Sequence, residues 1–279
     1  MMRIIESETV INSVRRLCLS ACNMPGDDVL RALSAAYNNE TCPPAKEALR
    51  QLLENARIAK ETKMPYCQDT GMAVVFLDMG EDVHINGALE ESVNEGVRQA
   101  YVNGYLRKSV LDPVSGRNTG DNTPAVIHYD IIPGDKLHIT VAPKGFGSEN
   151  QSRISMLKPS DGLDGIRRFV VDCVKRADGS PCPPVILGIG IGGTFEKCAI
   201  IAKRQLLRNI GDKNKDPYLA DIELKLKEQI NELGIGAMGF GGGNYCLAVH
   251  IGTYPTHIAG LPVAINFQCH AARHASETL

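Results

Sequence analysis

The chain has 279 residues, of which 43% are hydrophobic and 22% charged, and these are ordinary values for a soluble globular protein. A formal net charge of −2 gives no bulk attraction for nucleic acid or for an anionic membrane, and no apolar stretch reaches the length of a membrane span. The N-terminal residues lack the apolar core of a signal peptide. We therefore expect a cytoplasmic protein with neither nucleic-acid nor membrane partners.

The N-terminal part of the chain is predicted to be helical. Residues 8–61 carry apolar stripes at helical spacing, for example at Val10, Val14 and Leu17. Four more amphipathic stretches predict helices, and the hydroxyl of Thr194 is expected to cap the third of them. These stretches are 89–102, 163–176, 194–208 and 219–233.

Short apolar runs between these helices predict strands. The run 136–141 alternates well, with Leu137, Ile139 and Val141 on one face. The other predicted strands are 72–77, 125–132, 185–189, 247–251 and 263–267, and 144–151 is predicted to be a polar glycine loop. Alternating helices and strands predict an α/β fold, with a helical N-terminal segment followed by mixed-sheet α/β lobes that pack helices on the sheets. We expect a single domain over 1–279, helical to about residue 63 and α/β from about residue 64.

The cysteines divide by their surroundings. Nine cysteines without a C-x-x-C pair argue against a disulfide framework and against a zinc ribbon. Within helical patterns a cysteine is usually a small buried apolar residue, and four of them fit this interpretation: Cys18, Cys22, Cys173 and Cys198. Cys246 is less clear. Three thiols lie instead in polar or proline-rich loops, where metal binding is an alternative: Cys67, Cys182 and Cys269.

A glycine-rich run, Gly188–Gly193, matches the G-x-G-x-x-G pattern of dinucleotide-binding loops. The acidic residue expected about 20 positions later is missing, because that region is turn-like and basic. Two interpretations of the run remain: close packing of a strand on a helix, or a loop that binds a substrate anion. A nicotinamide site is the less favoured one.

The run Pro65–Gly71, with the sequence Pro-Tyr-Cys-Gln-Asp-Thr-Gly, is the most informative stretch. It places a soft metal ligand, an amide, a carboxylate and a hydroxyl next to each other, and each would need a partner in a buried core. A loop that holds a metal centre and handles a polar substrate is the better interpretation.

Several motifs together resemble one family in their order along the chain. They are Cys67–Gly71, Lys144-Gly-Phe-Gly-Ser-Glu-Asn150, Cys182-Pro-Pro with Gly192-Gly-Thr194, and His257 followed by Cys269. This combination resembles the iron–sulfur-dependent class I fumarases and the related L-tartrate dehydratases, in their N-terminal or alpha portion. The resemblance extends from about residue 8 to the end of the chain.

This resemblance implies a hydro-lyase that interconverts malate with fumarate and water. The L-tartrate dehydratase alpha subunit, which forms oxaloacetate, is the near alternative, and a nicotinamide-dependent dehydrogenase and a non-catalytic subunit are less favoured. The family holds a 4Fe–4S cluster by three cysteines, which implies Cys67, Cys182 and Cys269 as ligands. The iron without a protein thiolate would act as a Lewis acid on the substrate hydroxyl.

The resemblance also implies roles for seven further residues. Asp69 and His257 are the candidates for proton exchange with the departing hydroxyl, although a lone histidine more often bonds to backbone. Arg107 resembles a clamp for a substrate carboxylate, and its alternative is a solvated charge at a helix end. The remaining candidates for substrate contact are Gln68, Gly145, Gly147 and Ser148, the last three through backbone N–H groups.

A partner chain is expected as well. In single-chain members of this family a C-terminal domain supplies the base that removes the C3 proton, whereas this sequence ends ten residues after Cys269. The expectation is therefore an alpha subunit that works with a separate beta subunit, in an α2β2 assembly, on a small dicarboxylate. Alone, it would bind the cluster and catalyse poorly.

Overall fold

Helices and strands alternate along residues 2–279, the part of the chain that the computed structural model describes. The α-helices are α1 Ser7–Asn23, α2 Asp27–Asn39, α3 Pro43–Thr62, α4 Leu89–Asn103, α5 Phe146–Glu149, α6 Gly162–Ala177, α7 Phe195–Gln205 and α8 Pro217–Asn231. The strands are β1 Arg3–Glu6, β2 Met72–Gly80, β3 Val83–Asn86, β4 Val126–Ile132, β5 Leu137–Lys144, β6 Arg153–Leu157, β7 Val185–Gly192, β8 Cys246–Tyr254, β9 Leu261–Gln268 and β10 Ala275–Thr278. Short 3₁₀ turns span Pro159–Asp161 and Ala237–Gly239.

The chain folds into two compact units, and each has its own sheet and core. The first unit contains residues up to 25, 57–146 and 273–279, and the second contains 26–56 and 147–272. The α/β class with mixed sheets is confirmed. The single domain expected over 1–279 stays a prediction, which one cooperative unfolding transition would support.

The sheet of the first unit has the order β10-β5-β2-β4. β2 is parallel to β4 and antiparallel to β5, so the sheet is mixed. Side chains of β2 are buried on both faces, and those of β5 alternate as predicted, with Leu137, Ile139 and Val141 fully buried. Val14 of α1 and Val97 of α4 pack on the same core. A small parallel pair, β1 with β3, completes the unit.

The sheet of the second unit repeats this pairing pattern in the order β6-β9-β7-β8. Its central strand β7 is parallel to β8 and antiparallel to β9. Val170 of α6 and Leu226 of α8 pack against Leu187 and Ile189 of β7. A second cluster joins Leu33 and other apolar residues of α2 and α3 to the same sheet.

Four short strands were not expected from the sequence: β1, β3, β6 and β10. In addition, the predicted polar loop at 144–151 contains the short helix α5. Thr194 lies at the predicted N-cap position, but the predicted hydrogen bond from its side chain to the helix backbone is not formed. Thr194 precedes α7 as its N-cap residue, but its hydroxyl donates to Glu196 Oε1 at 2.6 Å and makes no cap hydrogen bond.

Gly188–Gly192 of the glycine-rich run lies within β7, and Gly193 lies between the strand and Thr194, the N-cap residue of α7. A Cβ added at Gly188 would lie 2.0 Å from the carbonyl oxygen of Ala202, and one added at Gly190 would lie 2.0 Å from that of Cys198. These glycines therefore let α7 pack directly on the strand, which is the packing interpretation. A dinucleotide loop would need the first glycines of the run in the turn before the helix, whereas Gly188 and Gly190 lie within the strand.

His250 of β8 provides a test of stability against pH. The ring is buried, and its Nδ1–H donates to the carbonyl oxygen of Gln205 at 3.1 Å. Burial lowers the pKa of His250, and the charge of Arg208 lowers it further, against smaller opposing effects of Glu223 and Asp212. As the pH falls below about 6.5, the unfolded chain takes up this proton before the folded chain does, so the free energy of unfolding decreases.

We expect His250→Asn to remove this dependence, because asparagine keeps an N–H donor for the carbonyl of Gln205 and does not titrate. Urea unfolding of the wild type and the variant at about pH 7.5 and about pH 5 checks the expectation. The stability advantage of the wild type should shrink at the lower pH. An equal advantage at both values would contradict the assignment of a neutral buried ring.

Candidate active site

The run Cys67–Gly71, called the Asp69 loop below, leads from the end of α3 at Thr62 to the start of β2 at Met72. Gly71 has φ +76, and a Cβ there would lie 2.7 Å from the backbone nitrogen of Lys144. Only glycine meets both conditions without strain. The glycine therefore allows the loop to lie directly against the end of β5.

Buried side chains hold the carbonyl groups of the Asp69 loop. The hydroxyl of Tyr101 lies 2.8 Å from the carbonyl oxygen of Thr70 and 3.1 Å from that of Gly71. The side-chain amide of Asn122 donates to the same Gly71 oxygen at 3.1 Å. Both side chains are fully buried. A buried carbonyl that loses its donor is costly, so these contacts fix the backbone of the loop.

The carboxylate of Asp69 is held by two backbone N–H groups. Its Oδ1 accepts from the nitrogen of Gly71 at 3.0 Å, and its Oδ2 accepts from the nitrogen of Phe146 at 3.0 Å. Gly145 is buried beside it, and a Cβ added there would lie 3.2 Å from Oδ2. The structure thus brings Asp69 and Gly145 together, as the candidate site requires, and gives the carboxylate one orientation.

Gln68 and Arg107 are exposed, in keeping with a role toward a ligand. Arg107 is positioned by its backbone, because the hydroxyl of Thr70 accepts from its nitrogen at 2.9 Å and donates to its carbonyl oxygen at 3.2 Å. The alternative for Arg107, a charge at a helix end, is not observed, since α4 ends at Asn103. A loop held by Thr70 presents the guanidinium instead.

The other two candidates for backbone donors belong to the second unit. Gly147 and Ser148 lie in the single turn of α5, where Gly147 is exposed and Ser148 buried. A Cβ added at Gly147 would lie 3.9 Å from the carbonyl oxygen of Ser180, so this turn lies near the loop that carries Cys182.

Cys182 and the segment of Cys269 meet within the second unit. The backbone nitrogen of His270 donates to the carbonyl oxygen of Cys182 at 3.3 Å, and His270 Nδ1 lies 3.0 Å from the same oxygen. Since a carbonyl only accepts, Nδ1 carries the proton. Cys182 has φ +55, a left-handed conformation that is uncommon outside glycine. The two cysteines therefore occupy loops that are joined by defined hydrogen bonds.

His257 lies in the exposed loop between β8 and β9. Its Nδ1 accepts from the nitrogen of Ala259 at 3.2 Å, so Nε2 carries the proton in the neutral ring. The hydroxyl of Thr256 donates to the carbonyl oxygen of Gly193 at 2.9 Å and fixes the loop to the end of β7. The ring is thus arranged to present an N–H donor.

The exposure of the thiols separates candidate ligands from structural cysteines. Five cysteines are buried, and burial raises the pKa of each thiol, which disfavours the thiolate that a metal needs: Cys18, Cys22, Cys173, Cys198 and Cys246. The half-buried ones are Cys42 and the three predicted ligands. Cys42 Sγ donates to the carbonyl oxygen of Phe240 at 3.5 Å. The three predicted ligands are half-buried thiols, and thiolate sulfur is the ligand type that iron–sulfur clusters use.

Cys67 belongs to the first unit, and Cys182 and Cys269 belong to the second. Within residues 2–279, no group of three His, Cys, Asp or Glu side chains forms a metal site. The three-cysteine ligand set therefore stays a prediction that rests on the motifs and on thiol exposure.

Gly145→Ala is expected to lower turnover because the new methyl group would press on Asp69 Oδ2 at 3.2 Å. A shift of the carboxylate by a few tenths of an ångström should lower kcat about 10-fold, since misplacement by 1 Å costs about 100-fold. Gly243→Ala is the matched control, because no atom lies within 4 Å of a Cβ there. Steady-state assays check both variants, and equal activities would contradict close packing at Asp69.

Three supporting residues of the Asp69 loop were missed from the sequence: Tyr101, Asn122 and Arg273. Tyr101 lies in a predicted helix and Asn122 in a predicted loop, so neither pattern pointed to the site. Arg273 had a weak signal, because it lies in the polar run after Cys269. Its Nη2 donates to the carbonyl oxygen of Asp69.

Among residues 2–279, no helix combines the length and the apolar character that crossing a bilayer requires.

Comparison with known proteins identifies the family. The model of the family described as "Fumarate hydratase (Fumerase)" matches residues 11–278. The "Putative L(+)-tartrate dehydratase subunit alpha" of Methanocaldococcus jannaschii is 43% identical over 256 residues, which cover 89% of this chain and 90% of the relative. The "L(+)-tartrate dehydratase subunit alpha" of Escherichia coli strain UTI89 and that of Shigella sonnei are each 33% identical over 255 residues, which cover 90% of this chain and 84% of each relative. The resemblance inferred from the motifs is thereby confirmed: the chain belongs to the fumarate hydratase family, in its class I fumarate hydratase and tartrate dehydratase alpha branch, and is a hydro-lyase.

Proposed function

We propose that this chain is the alpha subunit of a hydro-lyase that interconverts malate with fumarate and water. In the dehydration direction the C2–O bond and a C3–H bond break, a double bond forms between C2 and C3, and the hydroxyl leaves as water. The observation that carries the proposal is the Asp69 carboxylate, held between two backbone N–H groups in a loop that begins with a half-buried thiol. Family membership supplies the reaction class.

A 4Fe–4S cluster would be held by Cys67, Cys182 and Cys269. When bound, it supplies a Lewis-acidic iron that makes the substrate hydroxyl a better leaving group. The half-buried state of the three thiols supports this ligand set, and so does the raised pKa of the five buried ones.

The chain's own residues would bind the substrate and move one proton. Asp69 exchanges a proton with the departing hydroxyl, and the Nε2–H of His257 is the second candidate donor. Gln68 and Arg107 are exposed and can hydrogen-bond to substrate carboxylates, the guanidinium in a two-pronged manner. The backbone N–H groups of Gly145, Gly147 and Ser148 are weaker candidates for the same carboxylates.

The removal of the C3 proton is assigned to a partner. The curated relatives are named as alpha subunits, which supports a separate beta subunit for this chain. We propose an α2β2 assembly in the cytoplasm, in which the beta subunit provides the base and further carboxylate contacts. The alpha chain alone, with its cluster, should turn over substrate poorly.

L-tartrate dehydration is the second candidate function. The specific observation in its favour is the printed name of the relatives, L(+)-tartrate dehydratase. Tartrate carries one more hydroxyl than malate, at C3, so a donor or acceptor near that carbon would decide the preference. The name of the family supports malate and fumarate as the first choice.

Anaerobic assays of the alpha chain, purified with its beta partner, test the proposal. Malate, fumarate and L-tartrate are supplied separately, and fumarate absorbance and oxaloacetate formation are followed. We expect the highest kcat/KM with malate and fumarate. A preference for L-tartrate would establish the second candidate, and no turnover of any of the three would refute the proposed function.

A further inference from the structure

Arg273 is a buried cation beside the Asp69 loop, and none of the motifs assigned it a role. Its side chain lies in the first unit and is 5% exposed. The Nη2 group donates to the carbonyl oxygen of Asp69, and Nε donates to that of Pro143 at 3.3 Å. Pro143 lies near the end of β5, immediately before Lys144 and Gly145. One guanidinium thus joins the two backbone segments that surround the Asp69 carboxylate.

Placing the charged guanidinium of Arg273 in this buried position has an unfavourable desolvation free energy. Burial of a guanidinium is unfavourable unless hydrogen bonds and an opposite charge compensate for it. Asp69 is that opposite charge in the neighbourhood. A Cβ added at Gly145 would lie 3.2 Å from Asp69 Oδ2 and 3.8 Å from Arg273 Nη2, so both groups border the same small space.

The charges of Arg273 and Asp69 both act on the buried side chains of Cys22 and Tyr101. Burial raises the pKa of Cys22 to about 11, while Arg273 lowers it and Asp69 raises it. Burial also raises the pKa of Tyr101, on which Arg273 and Asp69 again act in opposite directions. Both charges therefore lie close enough to influence Cys22 and Tyr101.

Arg273 completes a set of donors to consecutive carbonyl groups. Arg273 donates to Asp69, Tyr101 to Thr70, and Asn122 to Gly71. Fixing the peptide that follows Asp69 fixes the direction of its Cα–Cβ bond. The carboxylate can then bridge the N–H groups of Gly71 and Phe146 in one orientation.

We propose that Arg273 is a positioning residue for Asp69: it locks the backbone of the Asp69 loop to the end of β5, and so holds the carboxylate where the departing hydroxyl must receive its proton. The inference rests on the proposed function. Because Arg273 acts through Asp69 and touches no substrate, its loss should affect the chemical step and leave substrate binding nearly unchanged.

The test compares Arg273→Met, Arg273→Lys and Arg16→Met in the purified alpha–beta complex. Arg16 is the matched control, since its exposed guanidinium in the same unit pairs with Glu277. We expect Arg273→Met to lower kcat about 100-fold with KM changed less than about threefold, and Arg273→Lys, which keeps the charge without the fork, to recover about 10-fold of the loss. Iron content should stay at the wild-type level.

Hydrogen–deuterium exchange supplies a readout that does not depend on activity. The amides of Gly71 and Phe146 should exchange faster in Arg273→Met and at the wild-type rate in Arg16→Met. If the methionine variant does not fold, the lysine variant carries the test, with kcat lowered about 10-fold at unchanged KM.

The outcomes are distinct. A wild-type complex that turns over neither malate nor L-tartrate overturns the proposed function and the role of Arg273 with it. If the wild-type complex is active, three results would contradict the role of Arg273 and leave the proposed function intact. They are a wild-type kcat in the Arg273 variants, a rise in KM alone, or a loss of activity in proportion to lost iron.

Discussion

Cys182→Ser is expected to abolish iron retention and to lower the hydro-lyase activity of the alpha–beta complex by more than about 100-fold. Changing a residue that merely supports a metal ligand costs about 10- to 100-fold, and loss of the ligand itself should exceed that. Cys182 has φ +55, and two N–H groups of His270 donate to its carbonyl oxygen, so its backbone is held in one position. Iron per chain and visible absorption after anaerobic purification check the prediction, together with malate turnover.

Cys42→Ser is the matched control, since Cys42 is the fourth half-buried cysteine. Its thiol donates to the carbonyl oxygen of Phe240 at 3.5 Å, and a serine hydroxyl can make the same hydrogen bond. Iron content and activity should stay within about twofold of the wild type. Full iron and activity in Cys182→Ser would contradict the ligand set, and a parallel loss in Cys42→Ser would add that residue to it.

The long elements could be predicted because their signals are local. The alternation of Leu137, Ile139 and Val141 corresponds to one buried face of β5, and the predicted helix at 163–176 matches Gly162–Ala177. Short strands such as β1 and β10 carry four residues each, too few for a periodic pattern. They exist because a partner strand far along the chain pairs with them, and sequence periodicity does not contain that information.

The residues proposed for the candidate site came from sequence motifs, whereas the side chains that support the Asp69 loop were not expected from the sequence. Asp69 was recognised from its motif, whereas its hydrogen-bond partners come from distant parts of the chain. Tyr101 reaches the loop across 31 positions, Phe146 across 77 and Arg273 across 204. Such contacts form only when distant parts of the chain pack together. No local pattern in a single sequence predicts them.

The glycine-rich run matched a short motif, and close packing was one of the interpretations left open by the sequence. Gly188–Gly193 fits a phosphate-binding pattern, yet its glycines serve the contact between β7 and α7. A short motif constrains only the backbone, and close packing and anion binding both require small residues. Gly188 and Gly190 lie within the strand, and their close approach to α7 favours the packing interpretation.

Asp69→Asn is expected to lower kcat by about 100- to 10,000-fold, the range that a general acid or base contributes, with little change in KM. An amide cannot exchange a proton with the departing hydroxyl. Its Oδ1 can still accept from Gly71, but its NH₂ group would face the N–H of Phe146, so one of the two backbone hydrogen bonds is also lost. Iron content should remain at the wild-type level, because the thiol of Cys67 is unchanged.

Asp112→Asn is the matched control for the change from carboxylate to amide, because Asp112 is an aspartate of the same unit that also accepts from backbone. Its Oδ1 accepts from the nitrogens of Val114 and Ser115 at 3.1 and 2.6 Å, in an exposed loop. The control should keep wild-type kcat, because the amide oxygen of asparagine can still accept from both nitrogens. Undiminished turnover in Asp69→Asn would assign the chain a supporting role, because the proton must then come from the partner or from solvent. A loss of iron together with activity would assign Asp69 to holding the loop and not to proton transfer.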